Sequence, residues 1–178
     1  MFRVLVLVLF VLRFSDAAHA SSEQCFKLSQ AVPEAVGDLK KTQMTDFEKD
    51  NPGLGYSVRY EAGYLRLTVF IFDAGYPTIG QDIARAYFDG AVQDVATAAQ
   101  RRSAGLGDID AVLFRPPRGN VTYFAKTTSS DGLSEIVTLG TEPGCMIKMR
   151  FTTRLPLENT ETAFWQLAEL VSRELETY

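Results

Sequence analysis

The sequence predicts an α+β domain, a mainly antiparallel sheet packed with two α-helices. Three observations carry this. Segments rich in β-formers, most of them alternating apolar and polar residues, recur at 55–61, 64–72, 120–127, 133–139 and 145–155. Turn signals separate most of them: Asn51-Pro52-Gly53, Ala62-Gly63, Asp131-Gly132 and the Gly140–Gly144 stretch with Pro143. Two segments instead repeat apolar residues at helical spacing, one running to about Arg102 and one from Asn159 onward. Strands joined by tight turns cannot pair in parallel, because parallel neighbours need a long crossover.

Each element has its own reason. Residues 21–37 form a lead-in containing Pro33, and 39–47 fits a first strand or a short helix equally well. At 55–61, Tyr56, Val58 and Tyr60 alternate with Ser57, Arg59 and Glu61, as in a half-buried strand. At 64–72, Leu65, Leu67, Val69 and Ile71 share one face, while Arg66, Thr68, Phe70 and Phe72 share the other. The two runs make a hairpin. Thr78 with Gln81 three residues on reads as a capping box opening a helix. Ala84, Phe88, Ala91, Val95 and Ala98 form its apolar stripe, and Arg85 and Asp89 an i,i+4 pair on its wet side. Gly105 and Gly107 follow its end.

Residues 109–114 form a short apolar run, stopped by Arg115-Pro116-Pro117-Arg118. The run at 145–155 is the clearest strand. Ile147, Met149, Phe151 and Leu155 face one way; Lys148, Arg150, Thr152 and Arg154 face the other. Asn159 reads as N-cap of the last helix, with Phe164, Ala168, Val171 and Leu175 as its buried stripe. This order of elements resembles the PsbP/Mog1-type folds, in which helices cover an antiparallel sheet. The resemblance is one of layout, and a shared layout does not carry function.

The N-terminus reads as an address. Arg3 supplies a positive start, Val4 to Leu12 is an unbroken apolar run, and Ala18-His19-Ala20 is a small-x-small cleavage site. These are the parts of a secretory signal peptide over 1–20, leaving residues 21–178 as a single globular domain. The apolar run is far shorter than the roughly 20 residues a bilayer span needs. No transmembrane segment is expected in the mature chain. Glu23 and Gln24 precede Cys25, which excludes a lipoprotein cut there. The expected location is periplasmic or extracellular.

Composition closes several chemistries. With 18 Lys+Arg against 22 Asp+Glu, the chain is acidic, so no nucleic-acid partner is expected. The sole histidine, His19, leaves with the signal. Ser-His-Asp and Cys-His catalysis both need an imidazole, and a zinc site needs His or several Cys. No cofactor or metal is expected. Cys25 and Cys145 form an even pair in an exported chain and are expected to oxidise together. The alternative is two separate buried thiols.

Candidate sites were weighed against plainer readings. Lys148, Arg150 and Arg154 along one strand face could hold an anion, with Arg115 and Arg118 nearby if the Pro-Pro loop folds over. The plainer reading is a wet sheet face balanced by partners such as Glu135. Tyr56, Tyr60 and Tyr64 could form an aromatic platform, or simply cover a sheet. Asp108 and Asp110 offer two carboxylates to a cation but read better as a solvated loop. Gly53-Leu54-Gly55 and Gly105-Leu106-Gly107 have phosphate-loop glycines without the rest of the motif. Asn120-Val121-Thr122 is a glycosylation sequon, relevant only in a eukaryotic host. Two functions follow. One is a small exported binding or accessory protein without catalysis, its partner an envelope protein or a small ligand. The other is a His-free envelope hydrolase using Asp, Glu or Tyr.

Overall fold

A computed structural model describes residues 23–113 and 121–176. The expected signal sequence, Arg115, Arg118 and Asn120 lie outside the described residues. Eight strands form one sheet: β1 (Ala35–Val36), β2 (Leu39–Asp46), β3 (Tyr56–Ala62), β4 (Leu65–Phe72), β5 (Asp110–Leu113), β6 (Val121–Thr128), β7 (Ser134–Glu142) and β8 (Cys145–Thr153). Their spatial order is β1-β2-β3-β4-β8-β7-β6-β5, and each neighbouring pair is antiparallel. Two meanders thus meet at β4 and β8, where Leu67 sits opposite Phe151 and Thr68 opposite Arg150. Helix α1 covers residues 23–31, α2 is Gln81–Arg101 and α3 is Leu157–Glu176.

The sheet is covered on both sides. Alternation sends Val58, Tyr60, Leu67, Val69, Ile71, Met149 and Phe151 to one face, where α1 and α3 add Leu28, Phe164, Leu167, Ala168 and Val171. We call this the inner face. Tyr60 is fully buried there and donates its hydroxyl to the Pro33 carbonyl at 2.7 Å. Burial pushes its pKa well up. The sulfurs of Cys25 and Cys145 lie at bonding distance, with Cα atoms 5.7 Å apart. They tie α1 to the start of β8.

On the opposite, outer face, α2 packs Ala84, Phe88, Ala91 and Val95 onto Tyr123, Ala125, Val137, Leu139, Met146 and Phe72. The small alanines let the helix lie close to the strands. They bring Phe88 against Tyr123, ring centroids 5.3 Å apart. Helix α2 covers the end of the sheet built from β6 and β7 and stops short of the end built from β2, β3 and β4.

Several boundaries differ from expectation. The lead-in contains a helix, α1, whose Cys25 and Leu28 are buried, with Val32 buried just past its end. Residues 39–46 are a strand, not a helix, since β3 is there to pair with them. Helix α2 begins at Gln81 behind Gly80, with no side-chain cap, so Thr78 does not cap it. Asp82 in its first turn complements the helix dipole instead. Its stripe ends on Ala99 rather than Ala98, as one more full turn requires. Helix α3 starts two residues before Asn159, at Leu157. Strand β8 ends at Thr153, and Leu155 lies beyond it, exposed.

Candidate anion-binding basin

The uncovered part of the outer face forms a basin of about 820 Å³. That size is typical of small-molecule sites. Its floor follows from strand register. One row runs Gln43, Arg59, Thr68, Arg150 across β2, β3, β4 and β8. The next runs Glu61, Arg66, Thr152, Glu135 across β3, β4, β8 and β7. Arg102, just past the end of α2, and Arg154, just past β8, reach in from the rim. Five guanidinium groups therefore line the basin, against the two carboxylates of Glu61 and Glu135.

Most of these arginines are already engaged. Arg150 donates through Nε to Glu135 Oε1 at 3.0 Å, and its terminal nitrogen also bonds that oxygen. Glu135 is almost wholly buried, and Arg102 lies 3.8 Å from its second oxygen. Arg102 also donates to Asp131 at 3.0 Å. The Ser129 hydroxyl and then Arg102 hold the Asp131 carboxyl down to about 2. Arg66 pairs with Glu61 at 2.9 Å. Arg154 donates to the Asp131 carbonyl at 3.0 Å. Arg59 differs from all of these. Its Nε is buried and has no hydrogen-bond partner among the described residues. Its neighbours across the register, Gln43 and Thr68, are neutral. An unmade bond to a buried charged donor is costly, and a carboxylate or phosphate is the group a guanidinium fork matches best.

Of the expected anion-binding face, Arg150 and Arg154 line the basin and Lys148 does not. Lys148 lines an adjoining apolar pocket, its Nζ 4.4 Å from the centre of the Phe70 ring and 5.9 Å from that of Phe72. Burial pushes its pKa down. Glu135 is the partner that the plainer reading expected, but the pair is half-buried rather than wet. The tyrosine platform does not form: Tyr56 and Tyr60 are in the core, and only Tyr64 reaches the rim. Asp110 lies 3.7 Å from Lys126, and no group of His, Cys, Asp or Glu suited to a metal occurs among the described residues. The amides of Gly53 and Gly55 do converge on an anion, but it is the chain's own Glu48, at 2.8–3.0 Å. Both glycines have positive φ, and a Cβ on Gly55 would lie 2.0 Å from the Ile71 carbonyl. Gly105 donates to the Ser130 hydroxyl, and Gly107 to the Thr128 carbonyl.

Sequence reasoning missed Arg59, Arg66 and Arg102 as members of the site. Arg59 and Arg66 were legible as polar-face residues of one hairpin. Their meeting with Arg150 depends on the β4–β8 pairing, which joins distant parts of the chain.

No family model matches the chain, and no curated protein is similar to it. Among solved structures, the solution structure of cyanobacterial PsbP (CyanoP) from Synechocystis sp. PCC 6803 is similar, with 16% identity and a TM-score of 0.43 over 75% of this chain and 91% of that one. The α+β layout stands on the strand order and the helix packing of the chain itself. No described helix is long and apolar enough to cross a membrane.

Proposed function

We propose that this chain is a small exported binding or accessory protein, without catalysis, whose basin holds an anionic ligand. The observation that carries the reading is Arg59: a buried guanidinium nitrogen without a hydrogen-bond partner among the described residues, in a basin that four other arginines line. The remaining charges support it. Glu61 and Glu135, the carboxylates facing the basin, are each held by an arginine. That arrangement suits binding better than acid–base work, which needs a carboxyl free to take and return a proton. The apolar run and the small-x-small site before Ser21 support export with cleavage after Ala20, to a periplasmic or extracellular location. On this reading residues 21–178 are the working domain, its partner a small anion or an anionic group on an envelope protein.

The test is thermal unfolding of the exported protein with millimolar succinate or phosphate. A ligand bound only by the folded state raises the melting temperature by mass action. At least one of the two anions raises it, and Arg59→Gln removes the rise. Absence of any rise in the parent protein, or an equal rise in Arg59→Gln, contradicts the reading.

A further inference from the structure

A second depression of about 590 Å³ adjoins the basin, lined by Phe47, Leu54, Phe70, Phe72, Tyr87 and Lys148 among others. Phe47 and Phe70 line both. The two are parts of one trough, cationic at one end and aromatic at the other. Lys148 stands at the join. It is two residues from Arg150 along β8, roughly 7 Å at strand spacing, and faces Ser57 and Phe70 along its row.

We infer that the ligand is an amphiphile: one carboxylate or phosphate head on an apolar body, with the head at Arg59 in the basin, the body against Phe70, Phe72, Leu54 and Tyr87, and Lys148 between the two. This rests on the anion-binding reading and narrows it to a ligand class. Each simpler ligand leaves part of the trough unmatched. A small hydrophilic anion answers the cations but leaves Leu54 and Tyr87 in water, and both are exposed large apolar residues. A neutral apolar molecule covers the rings but leaves Arg59 Nε without an acceptor. The acidic groups near the trough do not take the anion's place. Asp94 on α2 lines the apolar pocket and its charge acts on Lys148, but the two form no ion pair among the described residues, and Arg150 is the like charge beside Lys148 on β8. The lysine nitrogen packs on rings. The head chemistry fits a free fatty acid or the headgroup of a membrane lipid; the occupant we commit to is a single free molecule.

Gly90 offers a clean block. It lines the apolar pocket from α2, and a Cβ built on it meets nothing within 4 Å. Gly90→Leu therefore starts its side chain in open space at the pocket wall, and leucine is the better helix former. The experiment is calorimetric titration of the exported protein with dodecanoate below its micelle concentration. Dodecanol, butyrate and phosphatidylglycerol vesicles serve as comparisons. Dodecanoate is expected to bind at least about tenfold tighter than butyrate, since added methylenes are buried, and at least about tenfold tighter than dodecanol, since charge-assisted bonds are lost. Gly90→Leu and Lys148→Met each weaken dodecanoate by about tenfold, while Gly90→Leu leaves the succinate or phosphate response of the basin intact. Equal affinity for dodecanoate and butyrate overturns the amphiphile and leaves the anion reading standing. Equal affinity for dodecanol, or indifference to Gly90→Leu, also overturns it. Binding to vesicles with none to free dodecanoate overturns it in favour of a membrane surface. If succinate, phosphate and dodecanoate all fail to bind, the anion reading falls with it.

Discussion

The two faces of the sheet are built from the same strands and do opposite things. On the inner face, β3, β4 and β8 present Val58, Tyr60, Leu67, Val69, Met149 and Phe151, all buried under α1 and α3. One residue along each strand, the outer face presents Arg59, Arg66, Thr68, Lys148 and Arg150. Strand period two makes this separation possible, and the coverage by helices decides its chemistry. Where α2 lies, the outer face is alanine, valine and aromatic. Where α2 ends, the face turns to arginine. A sheet face left without a helix must tolerate water, and here it does so with charges that are only partly paired.

The largest expected effect is on the inner face. Phe151 is fully buried and its ring lies 6.0 Å from that of Phe164. Phe151→Ala should cost about 3–5 kcal/mol, read by denaturant unfolding. A cost under about 1 kcal/mol breaks the assignment of faces, because a one-residue slip exchanges them. The cysteine pair comes next. It closes a separation of 120 residues and anchors α1 to the inner face. Replacing both cysteines with serine should cost about 2–5 kcal/mol, and thiol labelling of the native exported protein should find no free thiol.

The outer face should respond less and more selectively. Arg150→Ala leaves Glu135 buried with Arg102 at 3.8 Å as its remaining cation. The expected cost is about 1–3 kcal/mol, larger than the near-zero change of a wet surface residue. A double-mutant cycle with Glu135→Ala should return a coupling of about 1 kcal/mol or more; additive losses would contradict the pairing. Lys148→Met should be the smallest, within about 1 kcal/mol and in the stabilising direction at neutral pH. Its sign has a pH signature. The folded state holds the Lys148 proton less tightly than the unfolded chain, because burial lowers its pKa. Stability therefore rises as pH climbs from the folded pKa toward the ordinary lysine value. Lys148→Met should remove that alkaline rise, measured as unfolding free energy against pH.

The contrast also explains what was legible in the sequence. Alternation within β3, β4 and β8 assigned both faces correctly, because a residue's side of a strand is a local property. The β3–β4, β6–β7 and β7–β8 hairpins were legible for the same reason, each from its own turn residues. Helix α1 was missed, since its buried Cys25 and Leu28 matter only once the sheet is there to receive them. The capping box at Thr78 failed to form, the helix starting instead behind Gly80. The basin was half legible. Arg150 and Arg154 were singled out on one strand, but Arg59 and Arg66 join them only through the long-range pairing of β4 with β8. Lys148 was placed on the right face and in the wrong half of the trough, because nothing local says that Phe70 and Phe72 lie beside it.

The most direct measurement follows the arginine Nε–H resonances by NMR while succinate, phosphate or dodecanoate is added. Arg59 Nε is buried without a partner among the described residues, whereas Arg85 Nε on α2 already donates to Asp89 at 2.9 Å. The account predicts that at least one of the three anions shifts the Arg59 resonance in a saturable way, while that of Arg85 stays in place. An unmoved Arg59 with all three, or equal and unsaturable drift of both resonances, would contradict it.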